Sequence, residues 1–145
     1  MRILVVYHSQ TGNTEKMAEA IGQGAEEAGG SLIVAPVDQI PPHIVNAAQA
    51  VIFGSPCYFG NMCWKIKRLI DQTASLIGEF TNKIGGYFVS SGSKKDGEMT
   101  LYFLRRALEV HKMRIVPGIL CVGTPTEEIL EECRRYGAQI AQMEI

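Results

Sequence analysis

Ser9, Thr11 and Thr14 set three hydroxyls around Gly12 and Asn13 in the hexapeptide Ser9-Gln10-Thr11-Gly12-Asn13-Thr14, a combination suited to holding a phosphate. The hexapeptide follows an apolar run and leads straight into an amphipathic segment, so it occupies a predicted strand-to-helix turn. The first N–H groups of a helix lack intrahelical acceptors, and the aligned peptide dipoles add roughly half a positive charge there. An anion fits such an end. The hydroxyls and the Asn13 amide add donors, and Gly12 lets the backbone close on a ligand with no Cβ in the way.

Elements that could position this loop recur along the chain. Apolar runs at Ile3 to Tyr7, Leu32 to Val37, Ala50 to Gly54, Ile84 to Ser90 and Ile115 to Val122 read as five strands, each apolar on consecutive positions, as expected for strands buried on both faces. Between them, Met17, Ile21, Ala25 and Ala28 recur at helical spacing, as do Met62, Ile66, Leu69 and Ile70, and then Leu101, Leu104 and Leu108. Thr124, Pro125 and Glu127 predict a capping box for a last helix, whose inner face would carry Ile129, Cys133, Tyr136, Ile140 and Met143. Between Asp38 and Gln49, Pro41-Pro42 predicts a helix that is short or begins only after the prolines.

The alternation of strand and helix predicts a doubly wound α/β fold with a parallel sheet covered on both faces, occupying residues 1–145 as a single domain. In such sheets ligands bind outside the carboxyl ends of the strands, where the strand order reverses. Three segments at predicted carboxyl ends look unlike ordinary turns: Ser9 to Thr14, Ser55 to Cys63 and Ser91 to Glu98. Bringing them together requires the order 2-1-3-4-5, with the first and third strands adjacent.

Composition narrows the function classes. The chain has 145 residues, is 46% hydrophobic and carries a formal charge of −1, enough for one core and without the basic footprint of a nucleic-acid binder. No apolar stretch approaches the ~20 residues of a membrane helix, and the short run after Arg2 is no signal-peptide core, so a soluble, cytoplasmic protein is expected, without membrane insertion. Cys57, Cys63, Cys121 and Cys133 form no C-x-x-C pair, so reduced thiols are expected and no metal site. A phosphoacceptor module would need paired acids after the first strand and an aspartate ending the third, where this chain has His8-Ser9 and Gly54-Ser55.

The loops resemble those of the flavodoxin-like FMN proteins along essentially the whole chain. Ser9 to Thr14 matches the family's phosphate loop, T/S-x-T-G-x-T. Gly54-Ser55-Pro56-Cys57-Tyr58-Phe59-Gly60-Asn61-Met62, followed by Lys67 to Thr73, is similar to the second loop of NAD(P)H:quinone oxidoreductases of the tryptophan-repressor-binding-protein type. The resemblance implies a flavodoxin-like three-layer sandwich and FMN as cofactor. It implies a phosphate held by Ser9, Gln10, Thr11, Gly12, Asn13 and Thr14. The ring would then lie against Pro56, Cys57, Tyr58, Phe59, Gly60 and Asn61, and against Ser91, Gly92 and Ser93.

Two departures separate this chain from its relatives. Flavodoxins have a strongly acidic third loop, usually with a tyrosine on the flavin, whereas Ser90 to Glu98 has balanced charge and no aromatic residue. The quinone reductases have a longer insertion ahead of the second loop and a more glycine-rich third loop. The resemblance implies electron transfer between redox partner proteins; the alternatives are an NAD(P)H:quinone oxidoreductase and a non-redox regulatory module on the same scaffold. Oligomeric state is left open. Trp64 reads as packing at the base of its helix, Cys57 as a small filler contributing backbone, and His8 and His43 as structural or exposed. His111, near the end of the fourth helix, fits a favourable dipole interaction, with proton transfer to a quinone as the sharper alternative.

Overall fold

In the computed structural model, which describes residues 1–78 and 80–145, alternating strand residues divide between two hydrophobic cores. Leu4, Val6, Val51, Phe53, Tyr87 and Val89 point to one side of the sheet; Ile3, Val5, Tyr7, Ile52, Ile84 and Phe88 point to the other. Successive strand side chains face opposite ways, so a strand covered on both sides must be apolar throughout.

The strands are β1 (Arg2–Tyr7), β2 (Ser31–Pro36), β3 (Ala50–Pro56), β4 (Ile84–Ser91), β5 (Arg114–Ile115) and β6 (Ile119–Val122). All pair in parallel, in the order β2-β1-β3-β4-β5, with β6 also on β4. The helices are α1 (Asn13–Glu27), α2 (Pro42–Ala47), α3 (Trp64–Ile77), α4 (Lys94–Glu109) and α5 (Glu127–Ala141). Met17 and Ile21 of α1 pack with Cys133, Tyr136 and Ile140 of α5 on one face. Val45 of α2, Ile66 and Ile70 of α3 and Leu104 and Leu108 of α4 cover the other. The fold is the doubly wound flavodoxin-like sandwich that the alternation of elements predicts.

Five local expectations are corrected. The fifth strand divides at Pro117-Gly118: from Gly85 to Phe88 the central strand advances three residues while its neighbour advances four, from Ile115 to Ile119. This is a one-residue bulge, which proline favours because it donates no ladder hydrogen bond. The Tyr136 hydroxyl bridges the gap, accepting from the Tyr87 N–H (3.1 Å) and donating to the Val116 carbonyl (3.0 Å). Secondly, β2 is an edge strand, and its Ile33 and Val34 are exposed rather than buried on both faces. Thirdly, the cap of α5 is Thr126, whose side chain accepts from the Ile129 N–H, so Thr124 and Pro125 lie in the connecting loop and no capping box forms. Fourthly, Ser91 to Glu98 is largely helical, because α4 starts at Lys94. Finally, Met62 precedes α3 and Met143 follows α5, both half-buried against the cores, and Ala28, just past α1, is half-buried. The double proline acts as expected, with Pro41 as cap and Pro42 in the first turn of α2.

Candidate functional site

Because every strand is parallel, the segments after β1, β3 and β4 emerge at one edge of the sheet, and adjacency of β1 and β3 brings the first two together. In the first, Gly12 adopts φ +97°, a left-handed conformation natural to glycine, and a Cβ there would meet nothing within 4 Å. The Gly12 carbonyl accepts the first helical bond, from the Lys16 N–H (3.0 Å). Ser9 Oγ accepts from the N–H groups of Gly12 (3.1 Å) and Glu15 (3.3 Å), folding the loop over the helix start. Among the described residues, the N–H groups of Thr11, Asn13 and Thr14 have no acceptor and remain available to a ligand. The Thr14 hydroxyl is otherwise engaged: it is buried and pairs with Ser90 Oγ at 2.7 Å, tying α1 to the end of β4.

The second segment is a tight turn. Tyr58 and Asn61 exchange two backbone hydrogen bonds (2.8 and 3.1 Å), and Phe59 and Gly60 between them have φ +53° and +77°. Positive φ at both central positions is the requirement of a type I′ turn, in which phenylalanine is strained. Its ring is fully exposed. A residue not among the candidates holds the segment closed: buried Ser55 accepts from the Cys63 N–H (2.8 Å) and donates to the Pro56 carbonyl (2.7 Å). Cys57 is half-buried and donates its N–H to the Ser90 carbonyl (2.8 Å), tying the second segment to the end of β4.

Side chains lock the segments to each other. The Tyr58 hydroxyl donates to Gln10 Oε1 at 2.9 Å, joining the second loop to the first. The half-buried His8 ring lies edge-on to Tyr58, with centroids 6.1 Å apart. Burial, and then Lys65, lowers the His8 pKa and favours the neutral imidazole; burial raises that of Tyr58. In the third segment, Ser91 Oγ accepts from the Ser93 N–H (3.1 Å) and donates to the Ser93 carbonyl (2.7 Å), while Ser93 caps α4. Gly92, between them, has open space where a Cβ would stand. Gly123 joins this edge through its N–H to the Ser91 carbonyl (2.8 Å), a neighbour that the residue pattern did not signal.

Two readings of single residues change. His111 follows α4 at the opposite, amino-terminal edge of the sheet, where its carbonyl accepts from the Phe80 N–H and its ring lies 5.2 Å from that of Phe80. It lies at the other end of the sheet from the three loops and is not placed to exchange a proton with a ligand held by them. Trp64 opens α3 but is 63% exposed rather than packed at the helix base. His43 is exposed.

Comparison with known proteins agrees with this geometry. The chain is 33% identical to a flavodoxin of Aquifex aeolicus, over 97% of this chain and 85% of the relative. It is 32% identical to an NAD(P)H dehydrogenase (quinone) of Paracoccus denitrificans, over 81% of this chain and 67% of the relative. The solved structure of a flavodoxin from the domain Archaea superposes with a TM-score of 0.89 at 28% identity, covering 98% of this chain and 97% of that one. The flavodoxin family profile matches residues 5–137, and the chain belongs to that family.

Proposed function

We propose that the chain binds FMN in the three-loop cleft and transfers electrons between protein partners. The observation that carries this reading is the start of α1, where the N–H groups of Thr11, Asn13 and Thr14 are free and a Cβ on Gly12 would stand in open space. The residues fit the phosphate of FMN: Ser9, Gln10, Thr11, Gly12, Asn13 and Thr14 supply amides, hydroxyls and no carboxylate. They also fit the ring, since Gly60 and Gly92 both face open space in the adjoining loops. Pro56, Cys57, Tyr58, Phe59, Gly60 and Asn61 would line one side of it and Ser91, Gly92 and Ser93 the other.

When bound, FMN supplies the one- and two-electron chemistry. The chain's own residues supply position. Gln10 and Tyr58 hold the phosphate and ring loops at a fixed separation, and Thr14 and Ser90 fix α1 against β4. The neutral His8 adds no charge at neutral pH. No described helix is long and apolar enough to cross a membrane. The carrier of this reading works between protein partners in the cytoplasm.

A second reading, an FMN-dependent NAD(P)H:quinone oxidoreductase, is favoured by one observation: the third loop carries no aromatic side chain and leaves that side of the cleft open. Both readings are tested together by titrating flavin-free protein with FMN and then mixing the complex anaerobically with NADH or NADPH. Quenching of FMN fluorescence at a 1:1 endpoint is the result expected of either. Persistence of the visible band on mixing supports the carrier, and rapid bleaching assigns the reductase. Gly12→Val forces a branched residue into the left-handed region and should weaken FMN at least tenfold, about 1.4 kcal/mol. Absence of FMN binding by the unaltered chain overturns both readings.

A further inference from the structure

A groove of 740 Å³ opens between α3 and α4 and begins at Asn61 and Met62, the last residues of the ring loop. Its apolar lining comes from Trp64, Phe103, Ala107 and Val110. Trp64 and Val110 are exposed at 63% and 57%, and nearby Tyr102, edge-on to Phe103 at 5.7 Å, is also exposed. Phe59, at the tip of the same loop that leads into the groove, is fully exposed as well. Clustered apolar side chains rimmed by polar groups are a feature of interaction surfaces.

Charge identifies the kind of occupant. The groove is lined by Lys67, Arg68 and Arg106 against one acid, Asp71. Lys67 already pairs with Asp71 at 2.7 Å, and Arg105 and Arg106 share the single carboxylate of Glu109. Arg68 has no anionic partner among the described residues. The rim therefore carries surplus positive charge, although the chain as a whole is at −1. A second copy would set cation against cation across a two-fold axis. An acidic surface with an apolar anchor satisfies both the rim and the floor.

We propose that this groove docks an acidic redox partner, whose carboxylates meet Arg68 and Arg106 and whose apolar side chain covers Trp64, so that its redox centre lies beside the ring loop. The proposal rests on the electron-carrier reading, but docking itself needs no flavin.

The test is a titration of the ¹⁵N-labelled full chain, with FMN occupancy read separately from its visible spectrum, using an acidic plant-type ferredoxin and a basic cytochrome c as probes. Ferredoxin is expected to broaden the amide signals of Asn61, Trp64, Arg68 and Arg106, with affinity falling at least tenfold between low and physiological salt. Trp64→Ala and Arg68→Glu should each weaken it at least tenfold and leave FMN content unchanged. Equal or tighter binding of cytochrome c at the groove overturns the proposal, as does ferredoxin binding that is indifferent to Arg68→Glu. Sedimentation as a dimer, with the same signals broadened in the absence of any probe, would assign the groove to a second copy instead. Groove docking in a protein that fails to bind FMN would keep the groove as a docking surface for an acidic protein but overturn the redox role of that partner together with the carrier reading.

Discussion

The two helical layers cover the same sheet in opposite ways. Between α1 and α5 the backbones nearly touch: a Cβ on Gly24 would collide with the Arg134 carbonyl, and one on Gly137 with the Ile21 carbonyl. Between α3 and α4 the corresponding space stays open as the 740 Å³ groove, lined by Trp64, Phe103 and Arg106 among others. Side-chain volume at the helix contact decides which happens, because interaxial distance follows the residues placed there. One layer closes over a core; the other keeps a surface that leads to the three loops.

Gly137→Leu should disturb the closed layer most. The new side chain has the Ile21 carbonyl and the Ala25 N–H in its path, so α5 must move off α1, and a loss above about 3 kcal/mol is expected in urea unfolding. A loss below 1 kcal/mol would show that the α1–α5 contact is not close-packed. Tyr136→Phe tests the same layer through its polar link to the sheet. It leaves the Tyr87 N–H and the Val116 carbonyl unpartnered at the bulge, and about 1–3 kcal/mol should be lost with little change in the visible spectrum of bound flavin.

Alkali should also act on the closed layer. Burial, then Glu132, pushes the Cys133 thiol up to about 12, and burial raises the Tyr136 hydroxyl as well. The unfolded chain loses the thiol proton near pH 8.5 while the folded chain keeps it, so unfolding releases a proton above that pH. The stabilisation is complete below the unfolded value of about 8.5 and is lost as pH rises towards about 12, by about 1.4 kcal/mol per pH unit for this one group. Cys133→Ala should flatten the slope of urea-unfolding stability between pH 9 and 10. An unchanged slope would mean that the thiol is reached by water.

In the open layer the smallest effect is expected. Trp64→Ala removes an exposed ring and should change stability by less than about 0.5 kcal/mol. A loss comparable to that of Tyr136→Phe would make Trp64 part of the core and close the groove.

Much of this architecture was legible in one dimension. Periodicity located the strands and helices, because a strand covered on both faces must be apolar at every position and a surface helix needs only a stripe. The loop residues Ser9 to Thr14 and Gly54 to Asn61 marked the edge of the sheet where the candidate site stands, since glycine and small hydroxyl residues there serve backbone geometry that can be read locally. The α5 cap shows the limit of local rules: Thr124 meets the capping-box pattern, yet the structure caps the helix with Thr126, with Cys133, Tyr136 and Ile140 turned onto the sheet and α1. Ser55 escaped notice for a related reason, because its importance comes from a bond to Cys63 across a loop.

Placement of the strands and helices thus follows largely from side-chain period and backbone preference, which the chain carries locally. Which ends meet is fixed by packing between parts of the chain far apart in sequence. That packing placed His111 at the far edge, joined Gln10 to Tyr58 and Thr14 to Ser90, bulged the last strand at Pro117-Gly118, and left Trp64 in the open beside Arg68. These are contacts between residues distant along the chain, settled by how two helical layers of unequal closeness pack on one sheet.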